Sequence, residues 1–412
     1  MKQTDVCIIG AGPGGATAAL HLAKSGVPCV LLDKAAFPRD KICGDALSGK
    51  VINELKRIDG SLLPQLHTQA TAIGSGGIHF IAPNEKWLTI PFHPESEKFP
   101  SETVFHPGYL MKRLDFDDFL IGKVRENAQI DLREGEEVTG YQRIDGGWEL
   151  TTNRQTLRAK LLIIANGAQS NFTRHVAGIV QEPGHFCAGL RAYYQGVAGL
   201  DANGFIELHF LKDFLPGYFW IFPLAGGHAN VGVGMLSSAI SRKRVNLKNS
   251  MLEIIQTHPV LRQRFANARL VGNIKGYGLP LGSKKRPLSG DNYMLTGDAA
   301  HLIDPFTGEG ISNAMISGRW AADQVVKCLA ANDFSAAFMR QYDAAVYRRL
   351  GRELQISRRM QQLLRYPSLF NLVVSRANRN PALQQLLSAM FMDMDLRAAL
   401  KKPSFYARLL FS

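Results

Sequence analysis

Three stretches of this 412-residue chain place side chains at spacings suited to chemistry. The tightest is Gly10-Ala-Gly-Pro-Gly-Gly15. Gly10 permits a sharp turn, Gly12 leaves the backbone open to a pyrophosphate, and Gly15 lets a helix pack closely on a strand. Pro13 and Gly14 head that helix, whose free amides and dipole favour anionic oxygens. Asp33, eighteen residues after Gly15, is placed to accept ribose hydroxyls, with Lys34 beside it. The second stretch is Gly297-Asp-Ala-Ala-His-Leu-Ile-Asp-Pro-Phe-Thr-Gly-Glu-Gly310, opening a helix at Ile311. There Asp298 is suited to a ribityl hydroxyl, and Gly308 and Gly310 let backbone approach an aromatic ring system. The third is Phe37-Pro-Arg-Asp-Lys-Ile-Cys-Gly-Asp-Ala-Leu-Ser-Gly49, a loop without helical or strand periodicity that surrounds Cys43 with charge and glycine.

These residues need elements to position them. Thr4–Ile9 is a short β-branched run that reads as a buried parallel strand, and the alanine-rich segment after it reads as a helix ending at Gly26. Val27–Leu32 reads as a second strand. Arg113-Leu-Asp-Phe-Asp-Asp-Phe-Leu120 fits a helix on which Phe116 and Leu120 share a face and Arg113 lies one turn earlier. Arg113 is placed to meet a cofactor phosphate, or the segment is simply amphipathic. Three antiparallel strands follow, in EEVTGYQRI, WELTTN and QTLRAK, and Leu161–Ala165 is a separate buried strand running into Asn166-Gly167. Further strand signals lie at Ile78–Ile81, Trp87–Ile90, Ala188–Tyr194, Phe205–Phe210, Tyr218–Phe222 and Ala229–Met235. On the strand from Tyr218, alternation puts Tyr218 and Trp220 on one face, Phe219 and Ile221 on the other. Phe219 and Ile221 read as core, the first pair as pocket lining.

Bulk properties narrow the class. An apolar fraction of 46% and a charged fraction of 20% belong to an ordinary globular chain. Five cysteines at irregular spacing read as reduced thiols, with Cys7 and Cys29 as core packing, and no cluster suggests a metal. No apolar run suits a transmembrane helix or a leader segment, so the expectation is a cytoplasmic protein. From Arg340 to the end, thirteen Lys and Arg stand against four Asp and Glu. That is either a solvated helical face or a surface for an acidic carrier protein, a diphosphate or anionic lipid. No nucleic-acid motif is present. The terminal Lys401–Phe411 reads either as membrane-docking or as a packed helix.

The glycine fingerprint, RxxFDxxL, Asn166-Gly167 and GDAAHLIDPFTGEG, in this order, resemble the FAD-dependent oxidoreductases built on the aromatic-hydroxylase fold. Within that group PxxKxCGxxL and Gly217-Tyr-Phe-Trp-Ile-Phe-Pro223 resemble two motifs of the geranylgeranyl reductase family. The resemblance implies an α/β fold: a Rossmann-type FAD-binding domain (1–60, 105–175 and 285–335), an interleaved, mostly antiparallel β-sheet substrate domain (61–104 and 176–284) covering the flavin, and a basic helical region (336–412). It places Cys43 and Gly44 near flavin and substrate, and Arg39 and Lys41 against FAD phosphate or ribityl oxygens. Cys43 then modulates the flavin, shapes the pocket or assists proton transfer, or it is a small hydrophobe filling a loop.

The activity implied is reduction of C=C bonds in a long apolar, polyprenyl-like substrate, by hydride from reduced flavin N5 and a proton from an acid such as Tyr218, Asp45 or His301. A monooxygenase acting on a lipid or carrier-bound substrate is the alternative. A halogenase is disfavoured, because Tyr218 and Phe222 replace two positions of WxWxIP. So is a non-catalytic flavin module. Asn166 stands where related hydroxylases carry Asp, and no second nucleotide-binding unit exists, so NAD(P)H binds transiently or a separate reductase or ferredoxin supplies electrons. Peripheral contact with the inner membrane surface is a further expectation. Asp45 stands where relatives carry Gly.

Overall fold

The β-branched run at the N-terminus forms the central strand of a parallel sheet. In the computed structural model, which describes residues 2–92 and 105–380 together with 384 and 388, Lys2–Ile9 pairs in parallel with Thr156–Ile164 on one side and Cys29–Asp33 on the other. Ile130–Glu134 continues the sheet beyond Cys29–Asp33, and Tyr293–Leu295 beyond Thr156–Ile164, both in parallel. Val138–Ile144 and Gly147–Thr152 hang from this sheet as an antiparallel meander. Central positions such as Ile8, Leu31 and Leu162 are fully buried, as a sheet covered on both faces requires. QTLRAK and LLIIA are one continuous strand, Thr156–Ile164, where the sequence suggested two. It pairs with Lys2–Ile9 along nearly its whole length, while on its other side the first half meets the meander and the second half meets Tyr293–Leu295, where its composition turns fully apolar.

Helix Pro13–Lys24 packs against helix Ile311–Ala331. The packing is close because Gly318 faces Gly14: a Cβ at Gly318 would stand 2.2 Å from the Gly14 carbonyl oxygen. These elements, with the long helix Ala336–Leu363 up to Arg358, make one compact unit of residues 1–41, 113–186 and 279–358.

The second unit comprises residues 42–112, 187–278 and 359–412. Its sheet runs in the order Arg269–Pro280, Phe186–Gln195, His228–Leu236, Tyr218–Leu224, Ile206–His209, Gly77–Ile81, Trp87–Pro91. The strands from Phe186–Gln195 to Ile206–His209 are successively antiparallel, Gly77–Ile81 joins in parallel, and Trp87–Pro91 closes antiparallel. Arg269–Pro280 gave no strand signal because nearly all its residues are exposed or half-buried. Phe219 and Ile221 are completely buried and form core, as alternation predicts. Helix Pro367–Ala377 buries Phe370, Val374 and Ala377. Among the described residues no helix is long and apolar enough to cross a membrane. The segment Lys401–Phe411 lies outside the described residues.

Candidate active site

In the first unit the glycine loop stands where the parallel sheet ends. Gly10 takes a φ of +101°, and a Cβ there would meet the Ala165 carbonyl oxygen at 2.5 Å and the Asn166 Cα at 2.8 Å. A Cβ on Gly15 would lie 1.8 Å from the Gly10 carbonyl oxygen. The protein's own packing therefore requires both glycines. It does not require Gly12, whose backbone is ordinary (φ −67°) and whose Cβ would meet only the Arg39 Nη2, at 3.5 Å. No side chain caps the helix that starts there, so its first amides face outward from a neutral loop. Gly12 is explained by a ligand passing close to the chain.

Asp33 organises the loop: its carboxylate accepts from the Ala11 amide at 2.8 Å and the Ala35 amide at 2.9 Å. Lys34 beside it is exposed. Arg39 donates to Asp117 Oδ2 at 2.7 Å, and Arg113 grips the same carboxylate with two bonds of 2.6 and 2.7 Å. Asp117 is 1% exposed. Two guanidinium groups thus share one buried carboxylate beside the glycine loop. Arg113 is held by Asp117, and Arg39 is the arginine that reaches Gly12. Sequence reading singled out both arginines but not the carboxylate one turn after Arg113, although Asp117 lay inside the motif.

Gly297–Ala300 form a single 3-10 turn ending in His301, which has a left-handed backbone (φ +54°). Asp298 lies 3.4 Å from Lys41 Nζ. Asp304 accepts from the amides of Phe306 and Thr307 and so shapes the turn through Gly308. The helix from Ile311 begins at Gly310, the Glu309 carboxylate accepts from the Ser312 amide at 3.0 Å in its first turn, and a Cβ at Gly310 would sit 3.5 Å from Asp298 Oδ1. His301 is 3% exposed and its Nδ1 has no hydrogen-bond partner. Burial, aided by the charge of Arg286, pushes its pKa down to about 4, so the ring is neutral at pH 7. Asn166 is exposed after the central strand and bonds to Tyr141, and Gly167 (φ +82°) turns the chain there. The fingerprint, Asp33, Arg39, Lys41, Asn166-Gly167 and the Gly297–Ile311 segment thus belong to one unit.

These residues fit FAD. An uncapped helix start, a glycine whose missing side chain serves no internal contact, a guanidinium group beside that glycine and a buried histidine nitrogen without a partner are what a dinucleotide with a diphosphate would complete.

The second unit carries the Cys43 loop and the aromatic strand, joined by Asn230. Asn230 Nδ2 donates to the Cys43 carbonyl at 2.7 Å and to Asp45 Oδ2 at 2.8 Å. Its Oδ1 accepts from Trp220 Nε1 at 2.9 Å. The Tyr193 hydroxyl donates to the same Asp45 oxygen at 2.7 Å. Asp45 and Asn230 are completely buried. Asp45 has a φ of +68°, the left-handed region in which glycine is at ease and Asp is among the better-tolerated alternatives. That accounts for a glycine at this place in relatives. Asp45 thus accepts from both Asn230 and Tyr193.

Gly44 has no room for a side chain, since a Cβ would meet the Phe222 ring at 2.7 Å. Trp220 lies flat over Gly232, its cross-strand partner, and its ring is 6.0 Å from Tyr218 and 6.3 Å from Phe222. Tyr218 is half-buried and also packs on Phe210, 5.8 Å away. Tyr193 is flanked by Arg191, 4.1 Å from the ring centroid, and Lys112, at 5.0 Å. Neither Asn230 nor Tyr193 stood out in the sequence. The available signal was a polar residue within the otherwise apolar strand HANVGVGML.

All five cysteines are free. Burial pushes the Cys29 and Cys187 thiols up to about 12 and Cys7 higher still, so these three are inert fillers. Cys43 is half-buried.

Comparison with known proteins agrees with this geometry. Residues 3–186 match the family model described as FAD binding domain. The class is therefore that of FAD-dependent oxidoreductases. A digeranylgeranylglycerophospholipid reductase of Thermoplasma acidophilum is 30% identical over 363 residues, covering 86% of this chain and 85% of the relative. A menaquinone reductase of Mycobacterium tuberculosis is 29% identical over 388 residues, covering 89% of this chain and 85% of that one. The crystal structure of a geranylgeranyl bacteriochlorophyll reductase-like protein from T. acidophilum has a TM-score of 0.78 at 24% identity, over 100% of this chain and 99% of that one. A flavin-dependent brominase shares the fold, with a TM-score of 0.75 at 22% identity over 95% of this chain and 93% of its own. The chain belongs to the geranylgeranyl reductase family.

Proposed function

We propose that this protein reduces carbon–carbon double bonds in the polyprenyl chain of a lipid. The observation that carries the reading is Asn230, which holds the Cys43 loop and Trp220 of the aromatic strand in one buried network. The two motifs that set this family apart from other flavoproteins are thereby one structural object. The relatives' names support the substrate class, since a geranylgeranyl lipid and menaquinone both carry polyprenyl chains.

In this reading residues 1–41, 113–186 and 279–358 hold FAD, and residues 42–112 and 187–278 hold the substrate. The Gly10–Gly15 loop and Arg39 receive the diphosphate, Asp33 the ribose, and Asp298 with Lys41 the ribityl chain. Reduced FAD supplies a hydride. The chain's own contribution is placement: Gly44 yields to Phe222, Asn230 fixes the Cys43 carbonyl, and Tyr218 and Trp220 present an aromatic wall to an apolar chain. Tyr193 and Asp45 form the titratable pair nearest the Cys43 loop and would relay the proton that completes saturation.

The test is anaerobic. The flavin-loaded protein is reduced with dithionite and mixed with a geranylgeranyl lipid, which has no other group that a reduced flavin could reduce. Return of the oxidised flavin spectrum, matched by one added H2 per reduced bond in the lipid's mass, is expected. A flavin that stays reduced until oxygen is admitted, with an oxygen atom then found in the lipid, would replace this reading with oxygenation.

A further inference from the structure

Helix Pro367–Ala377 buries one face and leaves apolar side chains exposed on the other. On the open side Leu369 and Leu372 are each 47% exposed, and Tyr366, at the helix start, is 64% exposed. These residues recur at three-residue spacing, so they line one side of the helix. Three large apolar side chains are thus presented together on one side of this helix. Scattered exposed apolar residues are ordinary, whereas a contiguous set is not.

The charge around the patch selects its partner. Arg365, Arg376 and Arg379 are exposed beside it. From Gln355 to Met392 the chain contains five arginines and no Asp or Glu. A second copy of this chain meeting the patch across a two-fold axis would set arginines against arginines, and like charges across an interface disfavour it. A surface that is itself apolar within and anionic at its rim matches both features. Tyrosine favours the boundary between hydrocarbon and water, and arginine stems lie along apolar surface with their heads in the polar layer.

We propose that this face docks on the surface of a bilayer containing anionic lipid, with Tyr366, Leu369 and Leu372 entering the headgroup boundary and the three arginines pairing with lipid phosphates. The purpose rests on the lipid-substrate reading, because a polyprenyl chain resides in a membrane. The test does not depend on it.

The full-length flavin-loaded protein is sedimented with vesicles of phosphatidylcholine alone, or of phosphatidylcholine with one-third phosphatidylglycerol. Binding to the anionic vesicles is expected to be at least about tenfold stronger, and to weaken with salt. Leu369→Ser with Leu372→Ser lowers it about tenfold, while flavin content and melting temperature hold, since both side chains are exposed. Arg376→Glu with Arg379→Glu removes the preference for phosphatidylglycerol. Failure of the parent to sediment with anionic vesicles overturns the proposal, as does a leucine variant that binds like the parent. Light scattering that finds a dimer lost in the leucine variant would assign the face to a second copy instead. A protein that reduces polyprenyl lipid in detergent but ignores vesicles would refute the docking face and leave the proposed function standing.

Discussion

The two candidate regions, one in each unit, are built on opposite principles. Around the glycine loop, polar groups are left open: the helix start at Pro13 lacks a side-chain cap, His301 Nδ1 has no partner, and two arginines share the Asp117 carboxylate. Around Asp45, hydrogen bonds close on one another, linking Tyr193, Asp45, Asn230, Trp220 and the Cys43 carbonyl. A cradle of the first kind is completed by something that is not protein. A network of the second kind positions backbone and rings and needs nothing further. The glycine-loop region is therefore shaped by what it receives, and the Asp45 region by what it must keep still.

Breaking the buried charge should have the largest effect. Asp117→Ala leaves two arginines facing each other, one of them 5% exposed, and is expected to cost about 3–5 kcal/mol in chemical denaturation. Protonation of His301 comes next. Its folded-state pKa, about 4, lies below its ordinary 6.5, so the unfolded chain takes up the proton first. The stability that the neutral ring contributes is complete above about pH 6.5 and is lost as pH falls towards about 4, by roughly 3 kcal/mol. His301→Asn should flatten that slope in the flavin-free protein.

Gly12→Val sharpens the contrast from the ligand's side. The backbone there accepts any side chain, so the melting temperature of the flavin-free protein should hold. The dissociation constant for FAD should rise about 100-fold, or about 2.7 kcal/mol, by flavin fluorescence titration. An unchanged constant would remove the ligand as the explanation for Gly12.

On the closed side, Asn230→Leu strands the Trp220 N–H and the Cys43 carbonyl, and should cost about 1–3 kcal/mol of stability with little change in FAD affinity. Asp45→Gly and Asp45→Ala lose the same hydrogen bonds, but only glycine relieves the positive φ. The glycine variant should be the more stable of the two by about 1 kcal/mol.

What was legible in the sequence follows this division. A diphosphate imposes glycines at fixed spacing on a strand–turn–helix, so Gly10 to Asp33 announce themselves within a few dozen residues. The second sheet was legible as alternation at Gly77–Ile81, Tyr218–Leu224 and His228–Leu236. It was silent at Arg269–Pro280, which buries too little to carry a pattern. The Asn230 network was not legible at all. Its bonds to the Cys43 loop join residues 185 and 187 positions apart, and hydrogen bonding at that range leaves no local periodicity. Asp117 was hidden differently, inside a quoted motif but read as one polar residue of an amphipathic helix. The positive φ at residue 45 explains a departure that looked like a new carboxylate entering a confined place.

The division into two units has a consequence for how the molecule comes into being. The chain passes from one unit to the other five times, at residues 41/42, 112/113, 186/187, 278/279 and 358/359. Neither unit is a contiguous stretch. The parallel sheet begins with Lys2–Ile9 and is complete only with Tyr293–Leu295, so nearly three-quarters of the chain must leave the ribosome before its last parallel strand arrives. Contacts of that separation close slowly. The growing chain must hold an unfinished apolar sheet for most of its synthesis, and no single cut in the gene would yield either half as an independent domain.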